Sequence, residues 1–194
     1  MSIAVGVTDG QTVCIGVDSF AAMGIHQRTR IEPKMVSKYG MLIACVGNLL
    51  VPQILKTRLN LESRPRDTDP SDYMVGTFVS ALRGLFRDEK IGELWSGEKD
   101  EQAEGDLLVG LNGHLFVVYA DYQVEEMHTR YNAVGSAAPY ALGALFRTYN
   151  MCEQQLPITA RCALEACLEF SSEVRQPFHV WILRSDGDLQ KYVW

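Results

Sequence analysis

Runs of alternating and continuous apolar residues change period along this chain, and each change marks an element. Ser2–Val7 and Thr12–Val17 are rich in β-branched residues and flank the turn pair Asp9-Gly10, which predicts a hairpin at the chain start. Two registers fit it. A two-residue loop pairs Thr8 with Gln11 and sets Ser2 opposite Val17, beside Asp18; a three-residue loop, Asp9-Gly10-Gln11, pairs Ser2 with Asp18 itself. A slip of one residue exchanges the faces of a strand, so the pattern leaves open whether Asp18 points at Ser2. Residues 20–33 are mixed and predict short irregular strands, followed by Lys34-Met35-Val36 and the turn Tyr39-Gly40. Met41–Val46 is apolar at every position, the mark of a strand buried on both faces.

Helical spacing begins after Gly47-Asn48, over Leu49–Leu61. Arg64–Asp72, with Pro65 and Pro70 among acids, reads as a loop, and Tyr73–Phe86 as an amphipathic helix carried by Met74, Phe78, Leu82 and Leu85. Ile91–Gly105 is acidic and poor in apolar residues, as a surface loop would be. Asp106–Leu111 and His114–Ala120 form a second hairpin around Asn112-Gly113, and Gln123–Tyr131 continues in alternation. Helices follow over Tyr140–Tyr149 and Thr159–Glu173, the latter with Thr159 as N-cap; Phe178–Leu183 and Leu189–Val193 close the chain as strands. Strands, two helices, strands, two helices, strands is an α+β order. It predicts two stacked sheets with a helical layer outside each. With no repeat, linker or low-complexity segment, residues 1–194 read as a single domain.

Composition narrows the function classes. A net charge of −6 without any Lys/Arg run argues against nucleic acid or an anionic membrane as the main partner. No basic segment precedes the apolar start, so no signal peptide is expected, and Met41–Leu55 is too interrupted to span a bilayer. The five cysteines (Cys14, Cys45, Cys152, Cys162, Cys167) lack CxxC spacing and read as reduced core residues of a cytoplasmic protein. His26, His114, His128 and His179 are scattered without ligand spacing, and no phosphate-cradling glycine loop is present. No metal or cofactor is therefore expected, and any ATP would be hydrolysed by a partner.

The chain start is the candidate chemistry. Ser2 follows Met1 directly, and a small second residue lets methionine aminopeptidase remove the methionine. Ser2 would then carry its own hydroxyl and a free α-amine titrating at about pH 8, a nucleophile and base in one residue. A retained Met1 would turn that amine into an amide.

Four segments in order give this candidate a context. Ser2 leads into Val13-Cys14-Ile15-Gly16-Val17-Asp18-Ser19; Lys34 stands sixteen residues after Asp18, in Pro33-Lys34-Met35; Ala44-Cys45-Val46-Gly47-Asn48 ends a strand on a glycine; and Val134-Gly135-Ser136-Ala137-Ala138-Pro139-Tyr140-Ala141 opens a helix. Together they resemble the proteasome β-subunit and HslV-type family of N-terminal nucleophile hydrolases. The resemblance implies a four-layer αββα fold, assembly into homo-oligomeric rings, and proteolysis of peptides or unfolded protein, with an ATP-driven unfoldase as a partner. It also implies roles. Ser2 Oγ attacks the peptide carbonyl while its α-amine takes the proton; Lys34 lowers the pKa of that amine; Asp18 keeps Lys34 charged and oriented. The Gly47 amide, with Asn48 as the neighbouring candidate, stabilises the oxyanion, and Ser136 hydrogen-bonds the amine or Asp18.

The chain departs from the family at three places. Ser replaces the usual Thr nucleophile and loses the methyl that restricts its rotamer. Ile3 stands where the family often has a second hydroxyl residue, and Ser171-Ser172-Glu173 occupies roughly the place of the family's Arg-Asp-x-x-Ser-Gly run. A catalytically silent scaffold subunit and a small-molecule amidase of the wider class remain as alternative readings.

Overall fold

The computed structural model describes residues 2–194 apart from 24, 63, 66, 92–104 and 152–154. Two five-stranded antiparallel sheets carry the chain. The first is ordered β10-β1-β2-β11-β12: Tyr131–Gly135, Ile3–Thr8, Thr12–Val17, His179–Arg184 and Leu189–Val193. The second is ordered β5-β6-β7-β8-β9: Met35–Lys38, Met41–Cys45, Leu107–Leu111, His114–Val118 and Val124–Glu126. A two-stranded ribbon, β3 (Phe20–Met23) and β4 (His26–Thr29), stands apart from both.

Alternation along β1 and β2 sorts side chains between two cores. Ile3, Val5, Val7 and Cys14 face α4 (Ala138–Thr148) and α5 (Leu156–Phe170). Ala4, Val13, Ile15 and Val17 face the second sheet, where Met35, Leu42, Ala44, Leu108 and Leu115 meet them. Strand β6 feeds both sides as its unbroken apolar run requires: Met41, Ile43 and Cys45 pack under α1 (Val51–Arg58), α2 (Pro70–Tyr73) and α3 (Val79–Asp88), and Leu42 and Ala44 turn inward. The layers are therefore helix, sheet, sheet, helix. Among the described residues no helix is long and apolar enough to cross a membrane.

Several boundaries differ from the sequence expectation, each for a local reason. Both hairpin registers give way to a third, in which Thr8 pairs with Val13 and Ala4 with Val17. The Asp9 carboxylate receives the amides of Gln11 (2.8 Å) and Thr12 (2.7 Å), which tightens the turn and moves the pairing on. The second helical region begins at Pro70, inside the expected loop. Asp69 caps it by accepting from Ser71 and Asp72, and Pro70 occupies the first turn, where a missing N–H costs nothing. Its chain then passes through a π-helical stretch, Met74–Phe78, into α3. Helix α4 starts at Ala138, two residues before the expected Tyr140. Thr159 does not cap α5: the helix begins at Leu156, and buried Thr159 donates back to the Gln155 carbonyl from within it. Residues 92–104 of the expected acidic loop lie outside the described residues, but Ile91 at its start is buried in the helical core.

Candidate active site

The site forms where the β1–β2 ladder ends. By the observed register the rung after Ala4–Val17 would pair Ile3 with Asp18. The Asp18 amide points at the Ile3 carbonyl at 3.5 Å, but the return bond is made by the side chain, Asp18 Oδ1 accepting the Ile3 amide at 3.1 Å. The other carboxylate oxygen accepts the Phe20 amide at 2.7 Å, so residues 18–20 close an Asx turn. Asp18 is thereby held at both oxygens by backbone, with its side chain wholly buried.

Lys34 reaches the same oxygen. It sits where the chain enters β5, its carbonyl accepting the Cys45 amide at 2.8 Å, and its Nζ lies 2.8 Å from Asp18 Oδ1. Both partners are buried, Lys34 at 1% exposure and Asp18 at 0%. Burial pushes the Lys34 ammonium below the usual lysine range and the nearby Arg30 charge adds to this, while Asp18 pulls it partly back. A buried ion pair gains little net stability over a well-packed apolar pair, so its presence between two sheets calls for a reason other than stability.

Ser2 lies at the head of β1, and its Oγ has no hydrogen-bond partner among the described residues although the side chain is 1% exposed. Buried hydroxyls are nearly always paired, which marks this oxygen out. Its backbone is clamped from β10. Ile3 pairs with Gly135, which adopts φ +114°, and a Cβ on Gly135 would stand 2.1 Å from the Ser2 carbonyl oxygen. Only glycine permits both the angle and the approach.

Two further residues from the sequence reading sit on turns. Gly47 follows β6 with φ +98° and is exposed; Asn48 Oδ1 accepts the Leu50 amide at 2.8 Å, which leads the chain towards α1. Ser136 is exposed on the turn between β10 and α4. No bond from it to Ser2 or Asp18 is seen among the described residues, and the N-cap of α4 is Ala137. Asp18 Oδ1 thus gathers Lys34 and the amide of the residue after Ser2, and Gly135 packs on the Ser2 carbonyl; Ser136, next to Gly135, makes no bond to Ser2 or Asp18 among the described residues.

The sequence reading missed Ser19 and the segment 175–177. Ser19 is fully buried; its amide donates to the Arg175 carbonyl (2.9 Å), its Oγ to the Pro177 carbonyl (2.5 Å), and its own carbonyl accepts the Arg30 amide (2.8 Å). The Arg175 guanidinium lies over the Phe20 ring, 5.6 Å from its centre. Ser171, in the stretch that takes roughly the place of the family's Arg-Asp-x-x-Ser-Gly run, turns the chain after α5 by accepting the Glu173 amide. The only sequence signal for Ser19 was its place beside Asp18. Cys14, Cys45 and Cys167 are buried thiols, raised by desolvation, Cys167 to about 12.

No family model and no curated protein matches the chain. Solved structures do. BPH from Thiobacillus denitrificans is 21% identical, with 97% of this chain and 100% of that chain covered and a TM-score of 0.77; its complex with epoxomicin gives 20%, 94%, 98% and 0.77. Eukaryotic HslV from Trypanosoma brucei is 16% identical over 94% of this chain and 99% of that one, with a TM-score of 0.68. Anbu (ancestral beta-subunit) from Yersinia bercovieri is 19% identical over 98% and 86%, with a TM-score of 0.67. With its two sheets stacked between helical layers and these likenesses along nearly its whole length, the chain has the αββα fold of the proteasome β-subunit-like N-terminal nucleophile hydrolases.

Proposed function

We propose that the chain is a hydrolase, an N-terminal nucleophile peptidase of proteasome type that works with Ser2 exposed as the first residue of the mature chain. The observation that carries this reading is the buried Ser2 hydroxyl, without a partner among the described residues, on the residue before the Ile3 amide that shares Asp18 Oδ1 with buried Lys34. The Ser2 α-amine takes the hydroxyl proton as Oγ attacks the carbonyl of a peptide bond. Lys34, held charged by Asp18, lowers the pKa of that amine so that it is neutral near physiological pH. The negative charge gathering on the substrate oxygen is met by the Gly47 amide. The amine then returns its proton to the leaving nitrogen, leaving an ester on Ser2, which water cleaves with the same amine as base. Ser136, on the turn beside Gly135, is placed in this reading as a donor that reaches the amine only once Met1 is gone.

Two likenesses extend the proposal. BPH has been solved in complex with epoxomicin, and Anbu from Pseudomonas aeruginosa as a helical assembly. We therefore assign this chain a peptide or unfolded-protein substrate and a homo-oligomeric working form, with an ATP-dependent unfoldase as the partner that would feed it. A second reading, a silent scaffold subunit, is favoured by one observation only: the exposed Ser136 makes no bond to Ser2 or Asp18 among the described residues.

The test is the mass of the purified protein followed by labelling with epoxomicin, whose ketone and epoxide together suit a hydroxyl and an amine on one residue. Loss of Met1 and a single adduct that disappears in Ser2→Ala are expected. An intact Met1 in protein that hydrolyses no fluorogenic peptide leaves the scaffold reading. Turnover of acyl-amides in preference to peptides would assign the third alternative, a small-molecule amidase.

A further inference from the structure

Asp18 needs a fixed pose to serve both the Ile3 amide and Lys34, and the residue that fixes it lies at the centre of its own turn. Phe20 donates to Asp18 Oδ2, so the carboxylate can hold its place only while the 18–20 turn keeps its shape. Ser19 is the middle residue of that turn, and all three of its polar groups are tied to chain that is distant in sequence. Its amide and hydroxyl run to the carbonyls of Arg175 and Pro177, and its carbonyl takes the Arg30 amide at the foot of the β3–β4 ribbon. That ribbon joins Asp18 to Lys34, so Ser19 also closes the loop between the two ends of the ion pair.

We propose that Ser19 is a positioning residue for the catalytic lysine–aspartate couple, and that its hydroxyl, through the Pro177 carbonyl, supports that couple from behind. The inference rests on the reading of Ser2, Asp18 and Lys34 as a hydrolytic site. The physical argument is one of degrees of freedom. A carboxylate at the end of a strand has a frayed ladder beyond it, and here the ladder's last bond is made by the side chain itself. With the hydroxyl gone the turn would be held on its far side by the backbone bonds of residue 19 alone, which loosens the aim of Asp18 at Lys34. Ser19 provides an anchor there with a hydroxyl, which a purely apolar residue of the same size cannot do. The Pro177 carbonyl that receives it would otherwise be left without its side-chain donor.

The experiment compares Ser19→Ala and Ser19→Thr with the wild-type protein, using a fluorogenic peptide and, separately, NMR titration of isotopically labelled lysine Nζ. Ser19→Ala is expected to lower kcat by about ten- to a hundredfold with KM little changed, the loss typical of a misplaced group. The Lys34 resonance should titrate at a lower pH than in wild type, because contact with Asp18 raises it. Ser19→Thr keeps the hydroxyl and should recover most of both. Unchanged kcat and an unmoved Lys34 titration in Ser19→Ala would overturn the proposal, as would a Thr variant that folds but behaves like Ala. If the wild-type protein cleaves no peptide yet Lys34 still shifts in Ser19→Ala, the support by Ser19 stands and the peptidase reading falls.

Discussion

A side chain at Gly135 would begin 2.1 Å from the carbonyl oxygen of Ser2. The two strands that carry them touch here without any side chain between, so the head of β1 is located by the backbone of β10. Gly135→Ala brings a steric overlap and an L-residue at φ +114° together. It should cost about 2 kcal/mol or more in a urea denaturation series and abolish epoxomicin labelling. Wild-type labelling in this variant would mean that the position of Ser2 is set elsewhere.

The ion pair beneath it makes a non-additive prediction. Lys34→Met leaves the Asp18 carboxylate buried without its cation and should destabilise the fold by about 3–5 kcal/mol. Asp18→Asn placed on top removes the stranded charge but keeps one carbonyl oxygen, enough for the Ile3 or the Phe20 amide and not both, so the double variant should recover part of that loss. Neither variant should hydrolyse peptide. Denaturation midpoints of the two singles and the double read the coupling directly.

At the opposite end of the sandwich Thr8 offers a control. Its hydroxyl shares one hydrogen between the Thr12 carbonyl (2.9 Å) and the nearer Gly113 carbonyl (2.5 Å) and accepts the Gly10 amide (3.0 Å), locking two hairpin turns together. Thr8→Val should cost about 1–2 kcal/mol in thermal or urea unfolding and leave kcat as it was. A fall in kcat would show that the ends of the sandwich are coupled.

His179 sets an acid limit on stability. It is buried at the start of β11 with Nε2 unpartnered among the described residues, and desolvation holds its pKa below the usual 6.5. Between that depressed value and 6.5 the unfolded chain binds the proton more readily, so stability falls as pH drops through this window and is fully present above it. His179→Phe should flatten this part of the stability–pH curve, as followed by urea midpoints from pH 7.5 down to 5. An equally steep curve would place the acid sensitivity on another group.

Much of this architecture was legible in the chain. The β-branched runs over residues 3–7 and 13–17 around Asp9-Gly10 mark two paired strands, and an unbroken apolar run such as Met41–Val46 marks burial on both faces. The order of the elements then yields the layers. The resemblance at Ser2, Asp18, Lys34 and Gly135-Ser136 pointed to the end of the sandwich where the chemistry would lie.

Other features depended on contacts between residues far apart in sequence. Periodicity says which face a residue takes but not which residue stands across from it, and the register here turned on one carboxylate, Asp9, folding back on its own turn. The start of α2 was hidden because Pro70 breaks a helix interior yet suits a first turn, a distinction that needs the capping bond of Asp69 to be seen. Ser19 was invisible for a stronger reason: its partner Pro177 lies 158 residues away, and no local pattern records a hydrogen bond across that distance. Sequence by itself determined most of the elements and their buried faces and supplied the candidate residues for chemistry, because those follow from side-chain type and period. Tertiary structure alone decided the register, the exposed place of Ser136 and the bracing of Asp18, because each depends on which distant backbone groups come to stand beside it.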